Sequence, residues 1–331
     1  MVMLVGEAFS LFLKEFVNLD PEVTQKARDS RDNLLLNINE FDQNDFFKLH
    51  EPYNVHFGSF SRKTKCKILD DIDLMIGISG NGAFYYSNSL WNNISIVAST
   101  TDEAQKSCVD PDGLLNSAKV INKFKEKLKN IPEYSHSDIK KNNEALVLNL
   151  RSKEWSFDIV PCFYTTTESD GREYYLIPNG SGKWKKADPT IDRKNIQEIN
   201  KRLDGRVLEL IRLIKRWNKT KNYNIQSYLL EVLILDYCKT KWELSSWIDY
   251  RFRDALLYLS MNIISDVYDP KNIQGNINLL SADARVSLHH KINADYQKAS
   301  QAIQLEVDSK DNEKSINMWR DIFGNDFPKY G

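Results

Sequence analysis

Residues 57–74 read FGSFSRKTKCKILDDIDL, and the spacing inside this stretch decides the fold class. Gly58 and Ser59 follow YNVHF, a short apolar run that predicts a strand. A glycine at that point lets backbone N–H groups approach a phosphate with no Cβ in the way, and the serine hydroxyl can donate to the same group. Twelve residues beyond Ser59 comes Asp71-Ile72-Asp73. Side chains two apart on a strand share a face, so both carboxylates enter one site while Ile72 and Leu74 enter the core. Adjacent carboxylates repel unless a cation lies between them, and an all-oxygen donor set favours Mg²⁺ or Mn²⁺. A third carboxylate is expected on a neighbouring strand. WSFDIVP (155–161) supplies it, with Trp155, Phe157 and Ile159 alternating to one face and Asp158 to the other. Three such acids can hold two divalent ions roughly 3.5 to 4 Å apart, one beside an attacking hydroxyl and one beside a leaving phosphate.

The totals are those of an ordinary globular protein. The 331 residues suit one large domain or two lobes, and 41% hydrophobic content is ample for a core. Lys and Arg total 45 against 46 Asp and Glu, so no whole-protein field is set up to capture long nucleic acid. Positive charge comes in short clusters, RKTKCK, KWKK and RLIKRWNK, of a size that suits triphosphates. Cys66, Cys108, Cys162 and Cys238 lie far apart with no zinc-ligand spacing, and read as reduced thiols of a cytoplasmic protein. The apolar N-terminus carries Glu7, Lys14 and Glu15 and predicts an amphipathic helix, not a signal peptide. The uncharged run Ile76–Thr101 is interrupted by Gly77, Gly80 and Gly82, and is assigned to a long loop with a short strand and not to a membrane span.

Helical periodicity marks Glu7–Phe16 and Val23–Ile38, the second opened by Asp20-Pro21-Glu22. Strand signals in YNVHF, IDLMI, ALVLNL and WSFDIVP follow, around a helix over Leu114–Leu128. From Asp192 onward the pattern is helical through Ile196–Leu203, Val207–Trp217, Ser227–Tyr237, Trp247–Ile264 and Asp283–Val307, and SYLLEVLILDY is apolar nearly all round. The expected architecture is α+β. An α/β palm with N-terminal helices and a mixed sheet occupies 1–190, and a helical lobe closing a nucleotide cleft occupies 191–331.

An isolated D-x-D is a common solvated strand end and a Gly-Ser pair is commoner still; their combination with a later h-D-h-V-P strand is specific. It resembles the polymerase-beta-like nucleotidyltransferase superfamily, whose signature is h-G-[GS] followed by D-h-[DE]-h. Within it the chain is most similar to the bacterial cyclic-oligonucleotide synthases related to cyclic GMP-AMP synthase and oligoadenylate synthetase. GSFSRKT, DIDLMI, NSAKVINKF, WSFDIVPCF, YYLIPNGSGKWKKADP, LIRLIKRWN and SYLLEVLIL carry the likeness. One departure is Lys63, where relatives often have Gly before the Thr. The zinc-binding insertion of the animal DNA sensor has no counterpart.

The resemblance implies a catalytic and metal-binding trio of Asp71, Asp73 and Asp158 with two Mg²⁺ ions. It also implies a nucleotide grip by Gly58 and Ser59, with Lys215 reaching the triphosphate and Ser227 donating at a helix start. Val207, Leu210, Ile211, Ile214 and Trp217 form the buried stripe of that lysine's helix, with Arg212, Lys215 and Arg216 on its remaining faces. Asp188 either touches nucleotide or starts a helix beside Pro189. Glu231, inside an apolar helix, reads as a paired structural carboxylate. Tyr174 and Tyr175 read as base-stacking surfaces or strand core, and His56, His289 and His290 have no nucleophile partner. The implied product is a cyclic di- or trinucleotide made from ribonucleoside triphosphates without a template. It would act on a separate effector protein in antiphage (CBASS) defence, with no membrane and no long nucleic acid required. Linear 2′-5′ synthesis, or nucleotide transfer to tRNA or protein, is the alternative.

Overall fold

A computed structural model describes residues 3–41, 45–86 and 90–331. The chain opens with α1 (Val5–Phe12), continued by a π-helical turn over Leu13–Val17, and α2 (Pro21–Asn39). Next come β1 (Val55–Phe57), α3 (Gly58–Ser61), β2 (Asp71–Gly77), β3 (Phe84–Tyr85), β4 (Ile96–Val97), α4 (Glu103–Lys106) and α5 (Ser117–Lys129). The strands β5 (Asp138–Asn142), β6 (Ala145–Asn149), β7 (Ser156–Tyr164), β8 (Tyr175–Pro178) and β9 (Trp184–Ala187) follow. Six helices finish the chain: α6 (Pro189–Arg202), α7 (Arg206–Lys221), α8 (Ser227–Lys239), α9 (Ile248–Asn262), α10 (Ala282–Val307) and α11 (Asn312–Phe323).

These elements form two compact units, one of residues 21–62 with 69–193 and the other of 1–20, 63–68 and 194–331. In the first, a mixed sheet runs in the order β1-β2-β7-β6-β5, with β8 and β9 continuing from β7; β3 and β4 form a separate pair. The strand pair β2 and β7 is parallel and the other pairings are antiparallel. Parallel neighbours need a crossover, and α5 supplies it. Its start is fixed by the Asn116 side chain, which accepts the N–H groups of Ala118 and Lys119. Val120, Ile121, Phe124 and Leu128 recur at helical spacing and are fully buried, as are Ile72, Leu74, Leu146, Leu148, Phe157 and Ile159 of the alternating strands. On the other face Val55, Met75, Ala145, Val160 and Tyr175 form a smaller apolar cluster.

The second unit is helical and has one continuous core. Residues 229–235 of α8 are all buried, as expected for a central helix that is apolar all round. The N-terminal helix α1 joins this core: Phe9 meets Trp319 edge-on at 4.9 Å and Phe327 at 5.0 Å.

The sequence boundary near 190 lies close to the division at Arg193/Lys194, but the first twenty residues group with the helical unit and not with the palm. Their aromatic side chains are the reason, because Phe9 and Phe12 pack on α11, an element periodicity did not single out. The strands β5 and β9 also went unread, β5 because its DIKKN sequence is polar and exposed except at Ile139. The run Ile76–Thr101 holds the paired β3 and β4 where one short strand was expected, and 87–89 lie outside the described residues. Tyr174 and Tyr175 are both buried; Tyr175 opens β8, which is the strand-core reading, while Tyr174 lies just before the strand. Among the described residues the cysteines are free, and no helix is long and apolar enough to cross a membrane.

Phe9→Ala is expected to destabilise the helical unit by about 3–5 kcal/mol, because four rings converge there and a cavity would remain. Denaturant unfolding checks this, and a loss under about 1 kcal/mol would show that α1 is only loosely docked.

Candidate active site

The strand pair β2 and β7 brings the acids together. In its parallel register Asp71 stands opposite Ser156 and Asp73 opposite Asp158, so the three acids share one face of adjacent strands. Cα partners on neighbouring strands lie about 4.8 Å apart and Asp71 is roughly 6.6 Å along β2 from Asp73, a patch within reach of short carboxylate side chains. All three are half-buried, while Ile72, Leu74, Phe157 and Ile159 between them point into the core. Among the described residues, no three or more His, Cys, Asp or Glu side chains are gathered as a ready metal cage.

The Gly-Ser turn stands on the same ground. Phe57 of β1 pairs with Asp73, which places Gly58 directly beside that acid. Gly58 has φ +69°, and a Cβ built on it would fall 1.7 Å from Asp73 Oδ2. The glycine is required twice, for its left-handed backbone and for the carboxylate leaning over it. Ser59 follows in the first turn of α3, whose Phe60 is buried and whose Ser61 hydroxyl donates to the His56 carbonyl at 2.8 Å. Burial holds the His56 pKa below its ordinary value, so it stays a neutral side chain near pH 7.

Lys63 adopts φ +61°. This position, where relatives often carry glycine, is left-handed, and a lysine sits in it at a cost of about 1–2 kcal/mol. Its carbonyl accepts from Arg212 at 2.8 Å, and Arg212 also donates to Asn18 at 2.8 Å. Arg212 was read only as one of several charges on the α7 surface; nothing in a helical pattern marks an arginine that pins a distant carbonyl.

The remaining candidates divide. Lys215 is not on an outer face of α7: it is buried, with 6% of its side chain exposed, and its ammonium pairs with Glu231 and donates to the Thr64 carbonyl at 3.2 Å. Thr64 is also fully buried and its hydroxyl donates to Glu231 at 3.0 Å. Glu231 is thus a paired carboxylate, as its apolar helix suggested, and Lys215 is the partner that sequence spacing alone did not join to it. Ser227 is exposed at the first residue of α8. Lys215 and Ser227 belong to the helical unit, and Gly58, Ser59 and the acids to the sheet unit. Asp188 takes the helix-start role, accepting the Thr190 N–H at 3.2 Å and lying 3.8 Å from Arg172.

A glycine turn after β1, two acids on β2 and a third in register on β7 define a polymerase-beta-like nucleotidyltransferase. No family model matches the chain. It is 39% identical over 335 residues to a probable cyclic nucleotide synthase of Bacillus cereus (strain VD146), covering all of this chain and 99% of that protein. It is 26% identical over 209 residues to a cyclic AMP-AMP-AMP synthase of Acinetobacter sp. (strain ATCC 27244 / 9458), covering 60% of this chain and 58% of that one. Its fold matches that of CdnC from E. coli MS115-1, solved with ATP, with a TM-score of 0.70 at 15% identity over 98% of both chains. The match to CdnC in its HORMA-deltaN complex is equal, at 0.70 and 16% identity. The chain belongs to the bacterial cyclic-oligonucleotide synthase family, and its activity is the joining of nucleotides into a cyclic oligonucleotide.

Two outcomes are expected of this geometry. Gly58→Ala should abolish synthesis, because Asp73 must move aside or the turn must change hand; wild-type turnover would mean that Asp73 is dispensable. Glu231→Ala should cost about 3–5 kcal/mol by leaving Lys215 buried without its carboxylate, and Lys215→Met combined with it should restore much of that loss. Additive losses in the double-mutant cycle would show that the two groups are not coupled.

Proposed function

We propose that the chain makes its cyclic product, a di- or trinucleotide, from ribonucleoside triphosphates without a template and in the cytoplasm, with Asp71, Asp73 and Asp158 holding two Mg²⁺ ions. The observation that carries this reading is the register of β2 on β7, which sets three oxygen-donor side chains on one face beside a turn that a Cβ would fill. That donor set suits a hard divalent cation, Mg²⁺ or Mn²⁺. When bound, the ions lower the pKa of the attacking hydroxyl and neutralise charge on the phosphates.

The protein's own residues bind and orient. Backbone N–H groups of the Gly58-Ser59 turn and the Ser59 hydroxyl receive the triphosphate, in a position where a side chain at residue 58 has no room. Ser227 offers a second hydroxyl at the start of α8, assisted by the helix dipole. Lys215 reaches phosphate only by exchanging its bond to Glu231, so its role in the resting protein is to hold Thr64 and Glu231 in place. A ribose 2′- or 3′-hydroxyl attacks the α-phosphorus, pyrophosphate leaves, and the linear intermediate, confined at high effective concentration, closes on itself.

ATP as a substrate is supported by the CdnC structure with ATP, and a ring of three by the trinucleotide synthase among the relatives. The HORMA complex of CdnC supports assembly with another protein, and a product-activated effector in antiphage (CBASS) defence completes the reading.

Incubation with all four ribonucleoside triphosphates and Mg²⁺ should give a phosphatase-resistant product of two or three units by mass spectrometry. Chelation of the metal should remove it, and so should Asp73→Asn with Asp158→Asn, the double substitution without lowering the metal-free melting temperature, since clustered like charges are relieved. Ser59→Ala should weaken triphosphate binding by on the order of 1 to 3 kcal/mol. Phosphatase-sensitive chains, or activity only on a long RNA or DNA primer, would overturn the reading.

A further inference from the structure

A second cavity lies wholly inside the helical unit. It is about 670 Å³ in volume, a size ordinary for small-molecule sites, and is lined by α1, by Glu209 of α7, by the start of α9 and by Glu306 of α10. Its walls are apolar at Leu4, Phe9, Leu13 and Ile248. Trp247 closes one side, its ring 3.7 Å from where a Cβ on Gly6 would lie, yet it stays 64% exposed.

Charge in the cavity is unbalanced. Glu7, Glu209, Asp249 and Glu306 line it against one cation, Arg251. Arg251 is already paired with Glu209 at 2.9 Å, and the Glu7 carboxylate accepts the Leu4 N–H at 2.8 Å. Asp249 is only 6% exposed, with no ion pair among the described residues. Burial raises its pKa, and burial together with the Asp249 charge raises that of Glu306. Arg251, Arg253 and Lys310 offset this in part, but Arg253 is itself bonded to Asp254. A buried carboxylate without a counter-ion is costly, and a cation brought to it recovers that cost.

We propose that this cavity binds an organic cation, an ammonium or guanidinium group on an apolar stem. The stem lies along Phe9, Leu13 and Ile248 with its head towards Asp249 and Glu306, and Trp247 adds a cation–π face. The same chemistry is offered by a free amine and by a lysine or arginine side chain of a partner protein.

Calorimetry with n-pentylammonium and its neutral isostere pentan-1-ol tests the charge, and the capped peptide Ac-Ala-Ala-Lys-Ala-Ala-NH₂ tests the source. The ammonium should bind at least about tenfold more tightly than the alcohol. Asp249→Asn with Glu306→Gln should erase that difference while leaving cyclic-nucleotide synthesis unchanged. Trp247→Ala, an exposed position whose change spares the core, should weaken both ligands and keeps the test decisive if the double variant does not fold. Tighter binding of the peptide than of the amine assigns the site to a partner's side chain, and the reverse assigns it to a free amine. Equal binding of ammonium and alcohol, or no saturable binding of amine and peptide at roughly millimolar concentrations, overturns the proposal.

Discussion

The parallel pairing of β2 with β7 is the constraint on which the site depends. Side chains alternate with a period of two, so a slip of one residue in that register would set Asp73 opposite a core position and send Ile72 or Phe157 outward. The register is held from the other face, where Ile72, Leu74, Phe157 and Ile159 are buried beside the α5 stripe. The acids are therefore positioned by apolar packing, and their mutual repulsion is carried by a sheet too well anchored to relieve it.

Backbone conformation adds a second constraint at the two ends of one short segment. Gly58 at φ +69° makes room for the Asp73 carboxylate, and Lys63 at φ +61° turns the chain again five residues later. The first cannot carry a side chain at all. At the second, Arg212 fixes the lysine's carbonyl. A left-handed position tolerates a lysine when the surrounding bonds over-determine it.

In the helical unit, buried polar groups differ in how far they are matched. Lys215, Glu231 and Thr64 satisfy one another in the core, whereas the cavity beside Trp247 leaves Asp249 and Glu306 with too little positive charge. The same physical rule makes the first cluster a structural joint and the second a receptive surface.

By itself the sequence determined the acids, the glycine turn and the helical second half, because each is written in local spacing: a period of two around Asp71, Asp73 and Asp158, a period of 3.6 through α7 to α10. Strands β5 and β9 were not legible, being short or polar, and α11 passed unnoticed although its Trp319 and Phe323 build the core. Tertiary structure alone decided that α1 packs with the helical unit, that Lys215 turns inward to Glu231, and that Arg212 reaches Lys63. Those outcomes depend on contacts between residues 16 to more than 300 positions apart, and periodicity within one element carries no information about which distant side chain will meet it.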